Sequence, residues 1–192
     1  MKGKSMSDIN ATVDVKQPLR TVYNQWTQFE EFPNFMEGIE EVTQVDETTL
    51  IWRAQIAGIE RTWRSRIVKQ EPDQAIEWVS TEGSRNSGRV TFEALGPSTT
   101  RVQLALDLEP QDLVEKVGQG LGLVARRAQG DLDRFRQFIE DRFSETGAWR
   151  GQIRDGEVDG AGRSLLEAPP DVDPEGTGPS DSRDRLETGG QT

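Results

Sequence analysis

Residues 112–143 read DLVEKVGQGLGLVARRAQGDLDRFRQFIEDRF. Apolar side chains recur at Val114, Val117, Leu121, Val124, Ala128, Leu132, Phe135, Ile139 and Phe143. Each step is three or four residues, the spacing of one face of an α-helix. Charged residues take the other side: Glu115, Lys116, Arg126, Arg127, Asp133, Arg134, Arg136 and Glu140. Pro110 precedes the stretch, Asp112 suits the N-cap, and Glu115 completes a capping box. At a rise of ~1.5 Å per residue such a helix is about 50 Å long. A small domain is narrower than that, so the apolar stripe must lie along a large partner surface.

Four glycines interrupt the helix, at 118, 120, 122 and 130. Each costs about 1 kcal/mol against alanine. Two explanations stand side by side. Either the backbone packs closely on a neighbour or kinks at its end, or the first half of the helix borders a space that side chains must leave clear for a ligand.

Upstream lies the partner surface. Ile9, Ala11, Val13 and Val15 alternate with Asn10, Thr12 and Asp14, the pattern of a half-buried strand. Pro18 suits the first turn of a short helix whose apolar face is Leu19, Val22, Tyr23 and Trp26. The run FEEFPNFM at 29–36 stops that helix at Pro33 and carries three phenylalanines and Met36 that must pack somewhere. Six further strand patterns follow at short intervals: 39–45, 50–56, 59–67, 76–80, 90–94 and 102–108. Short polar turns between them imply an antiparallel meander with one apolar and one wet face. Strands grouped ahead of one long helix give an α+β architecture, with seven strands curled around the C-terminal helix.

Composition narrows the chemistry. The chain has 192 residues, with no cysteine and no histidine. Disulfides, Cys/His zinc sites, thiol nucleophiles and imidazole acid–base catalysis are excluded. A net charge of −11 argues against nucleic acid as a partner. No apolar run approaches a membrane span, and Lys2 and Lys4 are not followed by a signal-type apolar segment. The expectation is a cytoplasmic protein without metal or cofactor. The stretch 151–192 holds four arginines against ten Asp/Glu, with eight glycines and four prolines. It is expected to form an acidic disordered tail beyond a folded domain at 8–146, with 147–151 as a short docked extension.

This order of elements resembles the helix-grip, or START-like (SRPBCC), fold. Within it the chain is most similar to the polyketide cyclase/dehydrase and coenzyme Q-binding group. The resemblance rests on the opening strand followed by PLRTVYNQW at 18–26, on FPNFM at 32–36 leading into Glu40, Glu41 and Val42, and on the strand run into the long helix. It spans residues 8–146 and implies a cavity between sheet and helix, which relatives use for lipids, quinones, steroids or aromatic polyketides. The implied lining is Trp52, Trp63, Trp78, Phe92 and Leu104 from the sheet and Val117, Leu121 and Val124 from the helix, with Phe35 and Met36 at the mouth. Taken singly, each tryptophan suits a plain core better; together they make a pocket suited to a flat or oily ligand.

Arg61 shares the alternation of Ile59, Trp63 and Ile67. Facing inward, it needs a partner or anchors an acidic or carbonyl group of a ligand. A bulge would instead turn it to water. Ser65 and Ser80 are candidate hydroxyl donors. The function that fits is binding or transport of a hydrophobic small molecule without catalysis. The alternatives are a polyketide cyclase/dehydratase using Arg61 or a carboxylate, and an interaction or stress-related module.

Overall fold

The computed structural model describes residues 8–56, 58–108 and 120–159. Strand β1 (Asp8–Val15) leads into helix α1 (Leu19–Trp26) and a short 3-10 helix (Phe29–Asn34). Strands β2 (Ile39–Gln44), β3 (Thr49–Ile56), β4 (Ile59–Glu71), β5 (Ala75–Gly83), β6 (Asn86–Gly96) and β7 (Thr99–Leu108) follow. Helix α2 (Gly120–Arg142) and a two-strand hairpin, β8 (Ile153–Arg154) and β9 (Glu157–Val158), complete the described residues. The strands pair antiparallel in the order β1-β7-β6-β5-β4-β3-β2. This is the expected α+β, START-like helix-grip architecture, with the expected seven strands on the main path.

Register explains which residues form the core. Val13, Val102 and Phe92 form one row across β1, β7 and β6, and Ala11, Leu104, Val90 and Ile76 form the next. All lie on one face and all are buried. Against that face pack Leu132, Phe135 and Ile139 of α2, each fully buried, with Ala128 one turn earlier. Truncating any of the three large ones would cost about 2–5 kcal/mol. Trp26 joins sheet to helix, with Phe92 at 6.0 Å and Phe135 at 4.8 Å between ring centroids.

An open sheet leaves two raw edges, and here both are covered. The Gln129 side chain of α2 meets β1 like a strand: Thr12 N–H donates to Oε1 at 3.3 Å, and Nε2 donates to the Thr12 carbonyl at 3.0 Å. One helix segment on, Glu140 accepts from Lys16 N–H at 2.7 Å. At the other edge the 3-10 helix lies along β2, with Glu30 accepting from Gln44 N–H at 3.3 Å.

Two expectations are corrected here. Phe143 does not extend the helical stripe. The helix stops at Arg142, and Phe143 takes a left-handed conformation (φ 60°) and is 81% exposed. Its place in the aromatic packing goes to Phe138, whose ring lies 5.4 Å from Phe35 and under the Arg142 guanidinium. Second, the folded unit does not end at 146. Residues 147–159 dock as a strap over α1 and the end of β4. β3 stops pairing with β4 at Arg66, and β8 fills the vacated side of β4 at Gln70. Asn24 and Gln25 are therefore buried on the far side of α1, bonded to Glu145, Thr146 and Arg150. Arg150 forks onto Asp73 at 3.0 and 2.6 Å and sits over the Tyr23 ring. The expected helix start at 112, with Val114 and Val117, and the acidic stretch from 160 onward lie outside the described residues.

Burial pushes the Tyr23 hydroxyl up to about 12 from its usual 10, although it accepts a hydrogen bond from Gln70 Nε2 at 3.0 Å. A raised folded-state value favours the protonated form. The associated stability is complete below pH 10 and is lost as pH rises through about 12. Alkaline denaturation should show a loss of about 2–3 kcal/mol across that window. The Tyr23→Phe variant, less stable at neutral pH, should lack that slope. Ile153, fully buried in the strap, supplies a second check. Ile153→Ala should lower unfolding free energy in urea by about 2–5 kcal/mol; a loose tail would show no change.

Candidate functional site

The concave face is not uniformly packed. Where α1 and the 3-10 helix meet it, aromatic rings fill the space. Phe32 lies 5.6 Å from Trp26, 5.2 Å from Phe35 and 5.8 Å from Trp52. Phe35 also touches Phe135 at 5.2 Å. Trp52 and Trp63, directly opposite each other on β3 and β4, stack at 5.7 Å with planes 4° apart. The Trp52 indole N–H donates to the buried Ser65 hydroxyl at 2.8 Å, which satisfies a donor that burial would otherwise leave unpaired.

Toward the other end the packing thins. Ile9, Leu106, Gly88, Trp78 and Ile67 form one row across five strands. Ile9 and Ile67 are buried, but Leu106 and Trp78 are only half-buried. Gly88 makes that arrangement possible. A Cβ there would lie 2.6 Å from Trp78 Cζ2 and 3.0 Å from Leu106 Cδ2, so both side chains lie across the bare backbone. The result is a flat apolar platform. Arg61 stands opposite Ala54 on the face that carries Trp63, and it is half-buried. No bulge separates the two residues in the β3–β4 pairing, so the inward alternative for Arg61 is the one adopted.

The residues expected to line a cavity therefore divide. Phe35, Trp52, Trp63, Phe92 and Leu104 are buried in side-chain packing. Met36, Trp78, Arg61 and Val124 are half-buried. Val117 and the side chain of Leu121 lie outside the described residues. Ser80 is engaged locally, donating to the Ser84 carbonyl at 3.0 Å and accepting from Asn86 N–H at 2.7 Å. The helix glycines follow neither explanation closely in the described part. Gly122 is exposed with open space where a Cβ would stand, and Gly130 faces the Arg134 guanidinium. Leu106 belongs to the platform and was visible as part of the β7 alternation; the importance of Gly88 had no sequence signal.

The loop between the 3-10 helix and β2 lies against the aromatic end, where Phe35 meets Phe135 and Phe138. Its main chain is held by side chains of α2. Glu37 N–H donates to Asp131 Oδ1 at 2.8 Å, Arg134 Nε donates to the Phe35 carbonyl at 2.9 Å, and Arg127 donates to the Glu37 carbonyl. Arg134 also pairs with Asp131 itself. Burial nevertheless outweighs these contacts and holds the Asp131 carboxyl above its ordinary range. Among the described residues no cluster of acidic side chains is arranged to hold a metal ion. No described helix is long and apolar enough to cross a membrane.

Residues 15–136 match the family described as polyketide cyclase / dehydrase and lipid transport. The chain belongs to that family. It is 42% identical over 149 residues, 77% of this chain and 99% of the relative, to an uncharacterized 17.2 kDa protein from the melC2-rnhH intergenic region of Streptomyces lincolnensis. Among solved structures it is similar to a START superfamily protein from Mycobacterium smegmatis, with a TM-score of 0.56 and 19% identity over 70% of this chain and 95% of that one. It is similar too to the ZhuI aromatase/cyclase from Streptomyces sp. R1128, with a TM-score of 0.58 and 20% identity over 73% and 98%. At such identities these structures establish the START-like fold alone.

The platform makes a specific demand. Gly88→Ala should force Trp78 off β6 and change its fluorescence. It should cost about 1–3 kcal/mol of stability, the usual penalty of overpacking, measured by chemical denaturation with emission spectra.

Proposed function

We propose that this chain binds or carries a hydrophobic small molecule, of lipid, quinone or polyketide-like character, between the concave sheet face and α2, without transforming it. The observation that carries this reading is the half-buried platform of Trp78 and Leu106 across Gly88, beside a concave end that aromatic rings fill. Large apolar groups left partly uncovered in a concavity are the usual mark of a small-molecule site. The family match supports the same reading.

The polar groups buried on the concave face favour binding over acid–base catalysis. The Ser65 hydroxyl is engaged by Trp52, and the Tyr23 phenol, pushed up to about 12, keeps its proton at neutral pH and is no base there. A second reading, a polyketide cyclase, draws on the aromatase/cyclase neighbour and on Arg61, whose cation at the inward position could stabilise a developing enolate.

Native mass spectrometry with solvent extraction of the purified protein should find a co-purifying apolar ligand. Trp78→Ala should weaken binding of that ligand, or of the probe 1-anilinonaphthalene-8-sulfonate, about ten- to a hundredfold, because an indole face buries on the order of 100 Å² at about 25 cal/mol per Å². Arg61→Gln separates the readings: a carrier keeps its affinity for neutral ligands, whereas a cyclase loses turnover of a polyketone substrate. Failure to bind any apolar probe would move the assignment to an interaction module.

A further inference from the structure

The geometry points to a second binding site, on the outer edge of β1 at Asp14, for a small molecule that carries a primary carboxamide or a ring lactam. The site lies outside the concavity and does not rest on the binding reading above.

The cover that α2 lays on this edge has a gap. Three-to-four spacing puts Gln129, Asp133, Arg136 and Glu140 on one flank of the helix. The outer two cap the strand. The Gln129 carboxamide takes both main-chain groups of Thr12, at 3.3 and 3.0 Å, and Glu140 accepts from Lys16 N–H at 2.7 Å. In an antiparallel ladder the main-chain groups turn outward at every second residue. Asp14, between Thr12 and Lys16, therefore points its N–H and its carbonyl the same way, and neither has a protein partner among the described residues. The two middle side chains of the flank, Asp133 and Arg136, pair with each other at 3.5 Å instead. Four helix residues rise about 6 Å and two strand residues about 7 Å, so position 133 stands to Asp14 as 129 stands to Thr12. An aspartate there is one methylene shorter than glutamine and has no N–H to give the carbonyl.

What remains is an open groove of about 380 Å³, lined by Thr12, Asp14, Arg101, Gln103, Asp133 and Arg136 with their neighbours. That volume is at the small end of the range for small-molecule sites. Its floor asks for one acceptor and one donor side by side, and Gln129 on Thr12 shows which group answers that demand: a carboxamide. A lactam presents the same pair, because its ring holds N–H and carbonyl on one edge, whereas a trans amide points them in opposite directions. The walls are balanced in charge. Arg101 forks onto the Asp14 carboxylate at 2.8 and 2.9 Å, and Arg136 faces Asp133. Two cations against two carboxylates favour a neutral polar ligand over an ion. An extended peptide does not fit, since a strand laid along β1 would displace Gln129 and Glu140 two residues to either side.

The test is a nuclear magnetic resonance titration of the full chain, labelled with nitrogen-15, using 2-piperidone as the probe. The Asp14 amide resonance should move downfield and saturate, with Val102 in β7 unmoved. N-methyl-2-piperidone keeps the carbonyl and loses the N–H, and it should bind about tenfold more weakly. Asp133→Gln should plug the groove with a carboxamide of the chain's own. The Asp14 amide should then exchange more slowly with solvent, and the affinity for 2-piperidone should fall about tenfold or more. Arg136→Gln offers a plug from the next position of the flank and serves if Asp133→Gln does not fold. An Asp14 resonance that 2-piperidone leaves in place, or that the N-methyl compound moves equally, overturns the site. So does a response undiminished in both variants, and so does one confined to Trp78 and Leu106, which would put the probe in the concavity.

Discussion

The structure depends on one helix meeting two demands at once. A curved antiparallel sheet has an apolar concave face that must be covered and raw edges that must be closed. Helix α2 covers the first with Leu132, Phe135 and Ile139, all fully buried. It closes an edge with Gln129 and Glu140, whose side chains occupy the bonding positions of an absent neighbouring strand. The same helix reaches across the mouth of the curl to hold the loop before β2. Its apolar stripe and its polar flanks are therefore both structural. Loss of either would leave the sheet open on one side.

The uneven packing of the concavity follows from where the other elements lie. Helix α1 and the 3-10 helix bring Tyr23, Trp26, Phe29, Phe32 and Phe35 to one end, and their rings leave that end solid. Nothing comparable among the described residues reaches the row of Leu106, Gly88 and Trp78. The strap at 147–159 adds weight to the filled end, sealing α1 from outside through Arg150, Asp73 and the buried amides of Asn24 and Gln25. Side-chain packing among the described residues is thus concentrated at the end where α1, the 3-10 helix and the strap meet the sheet.

The convex face shows how the wet side is managed. Arg101 pairs with Asp14, Arg89 with Glu77, Arg64 with Glu82 and Arg53 with Glu40 and Glu41, mostly across neighbouring strands. Such exposed pairs contribute little individually. They interleave the two signs over the convex face.

The sequence by itself determined the architecture. Period-two alternation from Ile9 to Leu108 and three-to-four spacing from Val124 to Ile139 are direct consequences of burying one face of a strand or helix, so they can be counted without coordinates. The inward set of tryptophans was legible for the same reason. What tertiary structure alone decided was which inward residues are core and which form a platform, because that depends on distant rings filling one end and on a glycine opposite Trp78. It also decided the fate of the chain after α2. Residues 152–159 read as part of the tail, yet they dock behind the expected extension at 147–151 because β4 outruns β3 and offers an unpaired flank. The hydrogen bonds that hold the loop before β2 were equally invisible: Asp131, Arg127 and Arg134 look like an ordinary charged helix face until the fold brings a loop's main chain within hydrogen-bonding distance.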